Sequence, residues 1–397
     1  MKYFSADQIY TCGPEGVIND GVIVCEDDGT IVDILHSPPI NKNCLKVKGI
    51  FMPGMINSHC HLELSYLKGQ IPTNTGLTGF IEKIQSIRTN YDRQHIAACA
   101  QEYDYHMQQE GIVACLDIVN DDFTLEVKKN SRIFYFNLIE VFGLNENYLN
   151  QIITKAKKIY DLFRHSQQAV ITLHAPYSVS ASLLEWYLTT ESEFLSIHMQ
   201  ECAEENQWFE NGTGRFKDLF DQWKVKQSFT MPTGESSMQS LLRVLPEKIK
   251  TRLWVHNTYT KPGDIDRAMK LPVENYWCFC PSANLYIEGI LPDVTIFPQD
   301  RCVVGTDSLA SNNELSIWKE IKLLDKHFPQ FGLEHWLKLS FNQPYSTEFT
   351  DEARMVENFG FQLNFVPGLR ENIKITTPFD YTIARAIIST GQGDNFL

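Results

Sequence analysis

From Ile56 onward the chain alternates between short apolar runs and helix-patterned stretches, and this alternation limits the fold more than any other feature. The apolar runs are GMINSHCHLE, GIVACLDIV, RIFYFNLIEVFG, AVITLHAPYS, FLSIHMQE, TRLWVHNT, YWCFCPSAN and RCVVGTDS, eight in all. Between them lie stretches such as QHIAACAQEYDYHMQQE and NYLNQIITKAKKIYDLFR, with apolar residues at helical spacing. Strands that are apolar nearly throughout must be covered on both faces, which is the condition of a parallel sheet. Eight strand–helix repeats predict a closed (β/α)8 barrel. An open doubly wound sheet would carry a glycine-rich phosphate loop after an early strand, and the chain has neither GxGxxG nor a Walker A sequence.

A barrel of roughly 250 residues leaves part of the 397-residue chain for a second unit. The first fifty residues read as short strands, KYFSADQIYT, GVIVCEDDGTIVDIL and CLKVKGIFMPG, with a hairpin turn at Asp27–Gly29. The last segment returns to short β-like runs, FGFQLNFV, NIKIT and YTIARAII. The expected organisation is a small β-sandwich built from both chain ends, residues 1–52 and 347–397, around a barrel over residues 53–346.

Composition narrows the function. Acidic residues outnumber basic ones, 49 to 35, for a net charge of −14 at pH 7. That balance argues against a nucleic-acid binder held by phosphate contacts and against anionic membranes. No apolar run reaches membrane-spanning length, and MKYFSADQIYTCG lacks the apolar centre of a secretory signal. Ten cysteines without a CxxC pair fit reduced thiols and a cytoplasmic protein. A small-molecule substrate is the expected partner.

The chemistry-bearing residues gather at the carboxyl ends of the predicted strands. The first carries His59 and His61, the third Glu140, the fourth His174, the fifth His198 with Glu201 beyond it, the sixth His256 and the eighth Asp307. The carboxyl ends of barrel strands are where such folds build active sites. Five of the 11 histidines therefore fall on one rim. His59 and His61, two apart on a strand, face one way and Cys60 the other. An HxH pair alone is an ordinary polar pair. With His198 and Asp307 from other strand ends it becomes a three-nitrogen, one-carboxylate set with room for water.

In sequence order, PGMINSHCHLELS, HAPYSVS, IHMQE, VHN, CPSAN and GTDSLASNN resemble the signature motifs of the amidohydrolase superfamily. More narrowly they resemble its aminohydrolase branch, which holds deaminases of adenosylhomocysteine, methylthioadenosine and aminodeoxyfutalosine, and the chlorohydrolases. The resemblance spans Pro53 to Asn313. It implies one divalent metal, zinc or else ferrous iron, on His59, His61, His198 and Asp307. Binuclear members carry a carboxylated lysine at the end of the fourth strand; His174 stands there, so a mononuclear site is expected. Such a metal supplies water acidified to near neutral pH.

The resemblance further implies that Glu201 protonates a ring nitrogen, Asp307 takes a proton from the water and His256 orients it. His174, Asn284 and Ser308 are expected substrate contacts, with Asn284 alternatively capping a turn. Asn57 is expected to support the histidines. Arg88, on the helix after the first strand, is either a solvated helix residue or a contact for a substrate carboxylate or phosphate. The expected reaction is hydrolytic deamination of an adenine-containing nucleoside derivative. The alternatives are release of chloride, opening of a cyclic amide, or a non-catalytic barrel. A homodimer is implied by the resemblance alone. The usual family ending appears only as FGFQLNFVPGLREN.

Overall fold

The computed structural model describes residues 1–11, 15–27, 31–40, 42–223, 225 and 232–341. The tip of the expected hairpin at Asp28–Gly29 and the expected C-terminal part of the β-sandwich, 347–397, lie outside the described residues.

The N-terminal residues make seven short strands: β1 (Lys2–Ser5), β2 (Gln8–Tyr10), β3 (Val17–Asn19), β4 (Val22–Cys25), β5 (Ile31–Leu35), β6 (Cys44–Lys46) and β7 (Ile50–Phe51). They form two sheets, ordered β5-β4-β1-β6 and β3-β2-β7. KYFSADQIYT is therefore two strands in different sheets, divided at Ala6 and Asp7. The predicted hairpin is present as antiparallel β4 and β5, with a register shift between Val24 and Cys25. Ile9, Ile18, Ile23, Cys25 and Ile31 form their shared core.

The eight apolar runs are eight parallel strands: β8 (Met55–Cys60), β9 (Ile112–Val119), β10 (Phe134–Val141), β11 (Gln168–Leu173), β12 (Phe194–Met199), β13 (Thr251–His256), β14 (Glu274–Phe279) and β15 (Cys302–Val304). They form two four-stranded sheets, ordered β11-β10-β9-β8 and β12-β13-β14-β15. Helices lie between successive strands, for example Arg93–Gln109, Leu149–Arg164 and Ala181–Leu188. Alternate side chains enter two separate cores. Ile118, Phe136, Leu138, Val170, Leu253, Val255 and Cys278 pack together on the inner faces. Tyr135, Ile139, Ile171, Ile197, Trp254 and Trp277 pack on the opposite faces with helix residues such as Phe163 and Leu183. Burial on both faces explains the unbroken apolar runs.

The two sheets meet along both pairs of edges. On one side, Thr306 N and Asp307 N donate to His59 O at 3.0 and 3.1 Å, and Cys60 and Asp307 form a parallel bridge. On the other, His198 N donates to His174 O at 2.9 Å and Thr172 Oγ1 donates to Ser196 O at 2.6 Å. The first seam requires Gly305, because a Cβ there would lie 2.8 Å from both the backbone N and the Cβ of His59. Among the described residues no helix is long and apolar enough to cross a membrane.

Candidate metal and catalytic centre

Strand alternation sends His59, His61, Glu140, His174, His198 and Asp307 to the inner side of the strand ends. His256 arrives there differently. Trp254, two residues earlier, belongs to the outer core, so plain alternation would turn His256 outward. Its left-handed backbone, φ +75°, swings it inward, where its ring stacks on His198 at 5.4 Å between centroids and 24° between planes. Asp307 has φ +56°, another conformation that L residues adopt at a cost of about 1–3 kcal/mol. Backbone strain thus collects at the two strand ends that aim these side chains.

His59, His61, His198 and Asp307 are buried and converge. His61 Nε2 lies 3.1 Å from His59 Nε2 and 3.2 Å from His198 Nε2. Asp307 Oδ1 is 3.6 Å from His59 Nε2 and 3.4 Å from His61 Nε2. Ser311 Oγ donates to the other Asp307 oxygen at 2.5 Å. His198 Nδ1 donates to His174 O at 2.8 Å, which fixes its tautomer and leaves Nε2 as a bare lone pair facing the cluster. Burial first, then the neighbouring histidines, drives the proton affinity of His198 well below its usual value and that of His61 to about 3, though Asp307 opposes the fall at His61. Burial alone would raise Asp307, but the facing imidazoles of His59, His61 and His256 hold it well below the usual carboxylate range. Neutral imidazoles with lone pairs about 3 Å apart repel unless a cation lies between them. The donor set therefore fits a divalent cation.

Glu201 follows β12, and its Oε1 lies 3.7 Å from His256 Nε2. Burial first, then Asp307, Glu205 and Glu288, pushes Glu201 well above the usual carboxylate range. His256 Nδ1 donates to Asn284 Oδ1 at 3.4 Å, while burial lowers its proton affinity to about 4. Above these groups opens a cavity of about 1420 Å³. His61, His198, Glu201, His256 and Asp307 form its polar floor, and Phe80, Ile84, Tyr91, Phe123, Phe216 and Trp223 line its walls. Its size exceeds that of the ordinary small-molecule pocket.

The expected substrate contacts separate into two groups. His174, Ser308 and Arg88 line the cavity, and Glu140 does too. Ser178 Oγ bonds His174 Nδ1 at 2.8 Å, which turns the opposite edge of the ring to the cavity. Arg88 caps the helix Gly76–Ile87 and, among the described residues, is in no ion pair. Asn284 does not line the cavity: it is buried between His256 and Thr258, to which its Nδ2 donates at 2.5 Å. Asn57 does not hold an imidazole either. It exchanges hydrogen bonds with Thr306, donating to Oγ1 at 2.7 Å and accepting from N at 3.1 Å, and so ties β8 to the residues after β15.

Sequence reasoning missed Glu63, Asp117, Lys128 and Glu205. Glu63 lines the cavity and accepts from Asn120 N and Asp121 N at 3.0 and 3.2 Å. Its only signal was its place two residues after His61. Asp117 and Lys128 form a buried ion pair behind β8. Glu205 lies in the acidic run ECAEE, a pattern typical of a solvated surface, and is fully buried.

Residues 50–328 match the profile described as the Amidohydrolase family. An aminodeoxyfutalosine deaminase from Nitratiruptor sp. is 24% identical over 285 residues, covering 69% of this chain and 67% of its own. The crystal structure of Helicobacter pylori aminofutalosine deaminase in complex with methylthio-coformycin superposes with a TM-score of 0.71 at 20% identity, over 86% of this chain and 85% of that one. An adenosine deaminase from Xanthomonas campestris with bound zinc gives a TM-score of 0.66 at 17% identity, over 85% and 78%. The end of the chain has a different likeness. Residues 320–390 match the profile of 2-C-methyl-D-erythritol 4-phosphate cytidylyltransferase, and one such enzyme from Bacteroides fragilis is 48% identical over 106 residues, 27% of this chain and 48% of its own. With its profile match covering well over half of the sequence, the chain belongs to the Amidohydrolase family and is a hydrolase of carbon–nitrogen bonds.

Proposed function

We propose that the protein is a hydrolytic deaminase of an adenine-containing nucleoside that carries a further substituent, with one divalent cation, zinc first, held by His59, His61, His198 and Asp307. The two parallel sheets are then the halves of one closed (β/α)8 barrel. The observation that carries the reading is the buried carboxyl group of Glu201, set 3.7 Å from His256 at the edge of the three-imidazole, one-carboxylate cluster. Deamination of a 6-aminopurine needs an acid at that place. The relatives named as deaminases of adenosine derivatives support the same reaction.

The bound cation supplies Lewis acidity that makes water nucleophilic near pH 7. The chain's own groups handle the protons. Water adds to the carbon bearing the amino group while Glu201 breaks its O–H bond and forms an N–H bond at the adjacent ring nitrogen. Asp307 accepts one proton from that water and passes it to the departing amine, which leaves as ammonia. The remaining hydroxyl proton returns to Glu201 as the carbonyl forms, so the enzyme ends as it began. His256, neutral and stacked on His198, fixes the approach of the water. His174 and Ser308 contact the substrate from the cavity walls. The large aromatic-lined cavity with the unpaired Arg88 guanidinium favours a nucleoside ending in an apolar group with a carboxylate, as aminodeoxyfutalosine does.

The test is ammonia release by zinc-loaded protein from adenosine, methylthioadenosine, adenosylhomocysteine and aminodeoxyfutalosine. Release is expected from at least one of them and is expected to vanish in Glu201→Gln while zinc stays bound. No release from any of them, with zinc present, would transfer the reading to a chloride-releasing or cyclic-amide hydrolase.

A further inference from the structure

The groups that handle protons in the proposed reaction, Glu201, His256 and Asp307, stand at the ends of β12, β13 and β15, strands of one sheet. The strand ends of the other sheet carry a different set. Glu63 follows β8, Asn120 follows β9 and Glu140 stands near the end of β10, and all three line the cavity. A substrate whose ring reacts at the first set has the rest of its length to place over the second.

These three residues are tied into one frame. Asn120 N and Asp121 N donate to Glu63 Oε2 at 3.0 and 3.2 Å, and Asn120 Nδ2 donates to Glu140 Oε2 at 2.9 Å. Glu63 lies in the short helix Leu62–Leu67, and the Leu62 N–H that opens it donates to Asp117 Oδ1 at 2.7 Å. Glu63 is therefore fixed at its backbone and at its carboxyl group, and it is only 5% exposed. With Oε2 turned to two backbone N–H groups, Oε1 is the oxygen left for the cavity, and among the described residues it is in no hydrogen bond. Glu140 Oε1 is buried and has no hydrogen-bond partner either. It lies 3.7 Å from His198 Nδ1, whose hydrogen goes to His174 O instead. No lysine or arginine among the described residues forms an ion pair with Glu63 or Glu140. Holding the turn after β9 needs one oxygen of Glu63 and not two. A carboxyl oxygen kept away from bulk water without a donor costs free energy until a donor reaches it. A group bound here gains most by donating.

We propose that Glu63 is a specificity-determining residue: its Oε1 accepts a hydrogen bond from a hydroxyl group on the sugar of the substrate nucleoside, while Asn120, held by Glu140, keeps the carboxyl group in place. The donors of a nucleoside next beyond its base are the 2′ and 3′ hydroxyls. A hydroxyl donated to a carboxylate makes a strong contact, and a nucleoside lacking that hydroxyl leaves the oxygen unpaired, which is how a polar pocket rejects an analogue. That the donor is a sugar hydroxyl rests on the deaminase reading; that this part of the cavity selects a donor does not.

The experiment measures calorimetric binding of adenosine, 2′-deoxyadenosine and 3′-deoxyadenosine to the zinc-loaded full chain carrying Glu201→Gln, beside turnover of the same three by the unsubstituted protein. Removing one of the two hydroxyls should weaken binding about 10-fold or more. Glu63→Gln keeps a carbonyl oxygen for Asn120 N and Asp121 N and puts an amide N–H where Oε1 stood. It should weaken adenosine by a similar factor and erase the difference between adenosine and that deoxy analogue. Asn120→Ala, which leaves Glu63 itself intact, should reduce the difference without erasing it. A purely structural Glu63 would weaken all three nucleosides alike or lower the zinc content in the variant, and either result overturns the proposal. Equal binding of all three nucleosides with Glu63 in place overturns it too. Turnover of all three at equal kcat/KM refutes the sugar contact and leaves the deaminase reading standing. Hydroxyl-dependent binding without turnover refutes the deaminase reading and leaves the contact standing. Binding of none of them refutes both.

Discussion

The Asp117–Lys128 pair offers the most demanding test of how the centre is supported. Both side chains have no exposed surface, and Lys128 Nζ lies 2.5 Å from Asp117 Oδ2. Nζ also donates to Asn137 Oδ1 at 2.8 Å and lies 5.1 and 5.2 Å from the ring centroids of Tyr135 and Phe163. The other Asp117 oxygen accepts from Leu62 N at 2.7 Å, directly after His61. Lys128→Met keeps the stem and its packing and removes the charge, leaving a buried carboxylate alone. Breaking such a pair costs about 3–5 kcal/mol, a large share of the roughly 5–15 kcal/mol that holds a domain together. Asp117→Asn strands the ammonium and should cost a similar amount. The double variant removes both charges and should recover most of the loss, for a coupling of at least about 2 kcal/mol in the cycle. Urea unfolding of the zinc-free protein, followed by the fluorescence of the buried Trp254 and Trp277, measures all four free energies. Asp117→Asn also loosens the support behind His61 and should weaken zinc binding by about 10-fold in a competition with a chelating dye. Single costs below about 1 kcal/mol, or a double variant that costs the sum of the two, would refute the reasoning.

Gly305→Ala should cost more than an ordinary glycine substitution, because the new Cβ would meet the backbone of His59 at 2.8 Å and force the first seam apart; loss of soluble protein or of zinc binding checks it, and wild-type behaviour would refute the close approach. Glu320→Gln should alter the pH dependence of stability. Burial first raises Glu320 to about 7, despite hydrogen bonds from Ser282 N and Asn312 Nδ2. A raised carboxylate contributes fully below its unfolded value, and that contribution fades as pH rises toward 7. The wild type should therefore lose roughly 3 kcal/mol relative to the variant between pH 4.5 and 7, read from urea midpoints at each pH; a constant difference would refute the assignment.

The strands were legible because burial on both faces leaves a run of apolar residues that little else explains. The cluster was legible because ligand residues at strand ends stand out against apolar strands. His256 was found for an incomplete reason: its position followed from sequence, but its direction depends on a left-handed φ that no alternation rule supplies. Asn57 and Asn284 were assigned to the site because they neighbour it, yet an amide buried beside a site must satisfy both its ends: Asn57 does so on Thr306, and Asn284 bridges Thr258 and His256. Lys128 and Glu205 were passed over because a charged residue is normally solvated, and the carboxylate that makes burial of Lys128 tolerable, Asp117, comes from β9. The tail shows a further limit. Short β-like runs are a local property and do not tell which fold they complete, and the profile that residues 320–390 match is not the one that residues 50–328 match.

The arrangement of the four proposed ligands explains why these side chains must come from distant parts of the sequence. His59 and His61 stand at the end of β8, an edge of one sheet; His198 ends β12, and Asp307 follows β15, the two edges of the other. The cluster therefore bridges both sheets where they meet. Three of the four also take part in a seam: His59 O accepts from Thr306 N and Asp307 N, and His198 N donates to His174 O. Without a cation the converging imidazole lone pairs and the strained backbones at His256 and Asp307 oppose closure. A cation held by these groups converts that repulsion into attraction across both seams, and its binding free energy adds directly to the cohesion of the sheets. The proposed cation site and the contacts that join the two sheets thus share His59, His198 and Asp307.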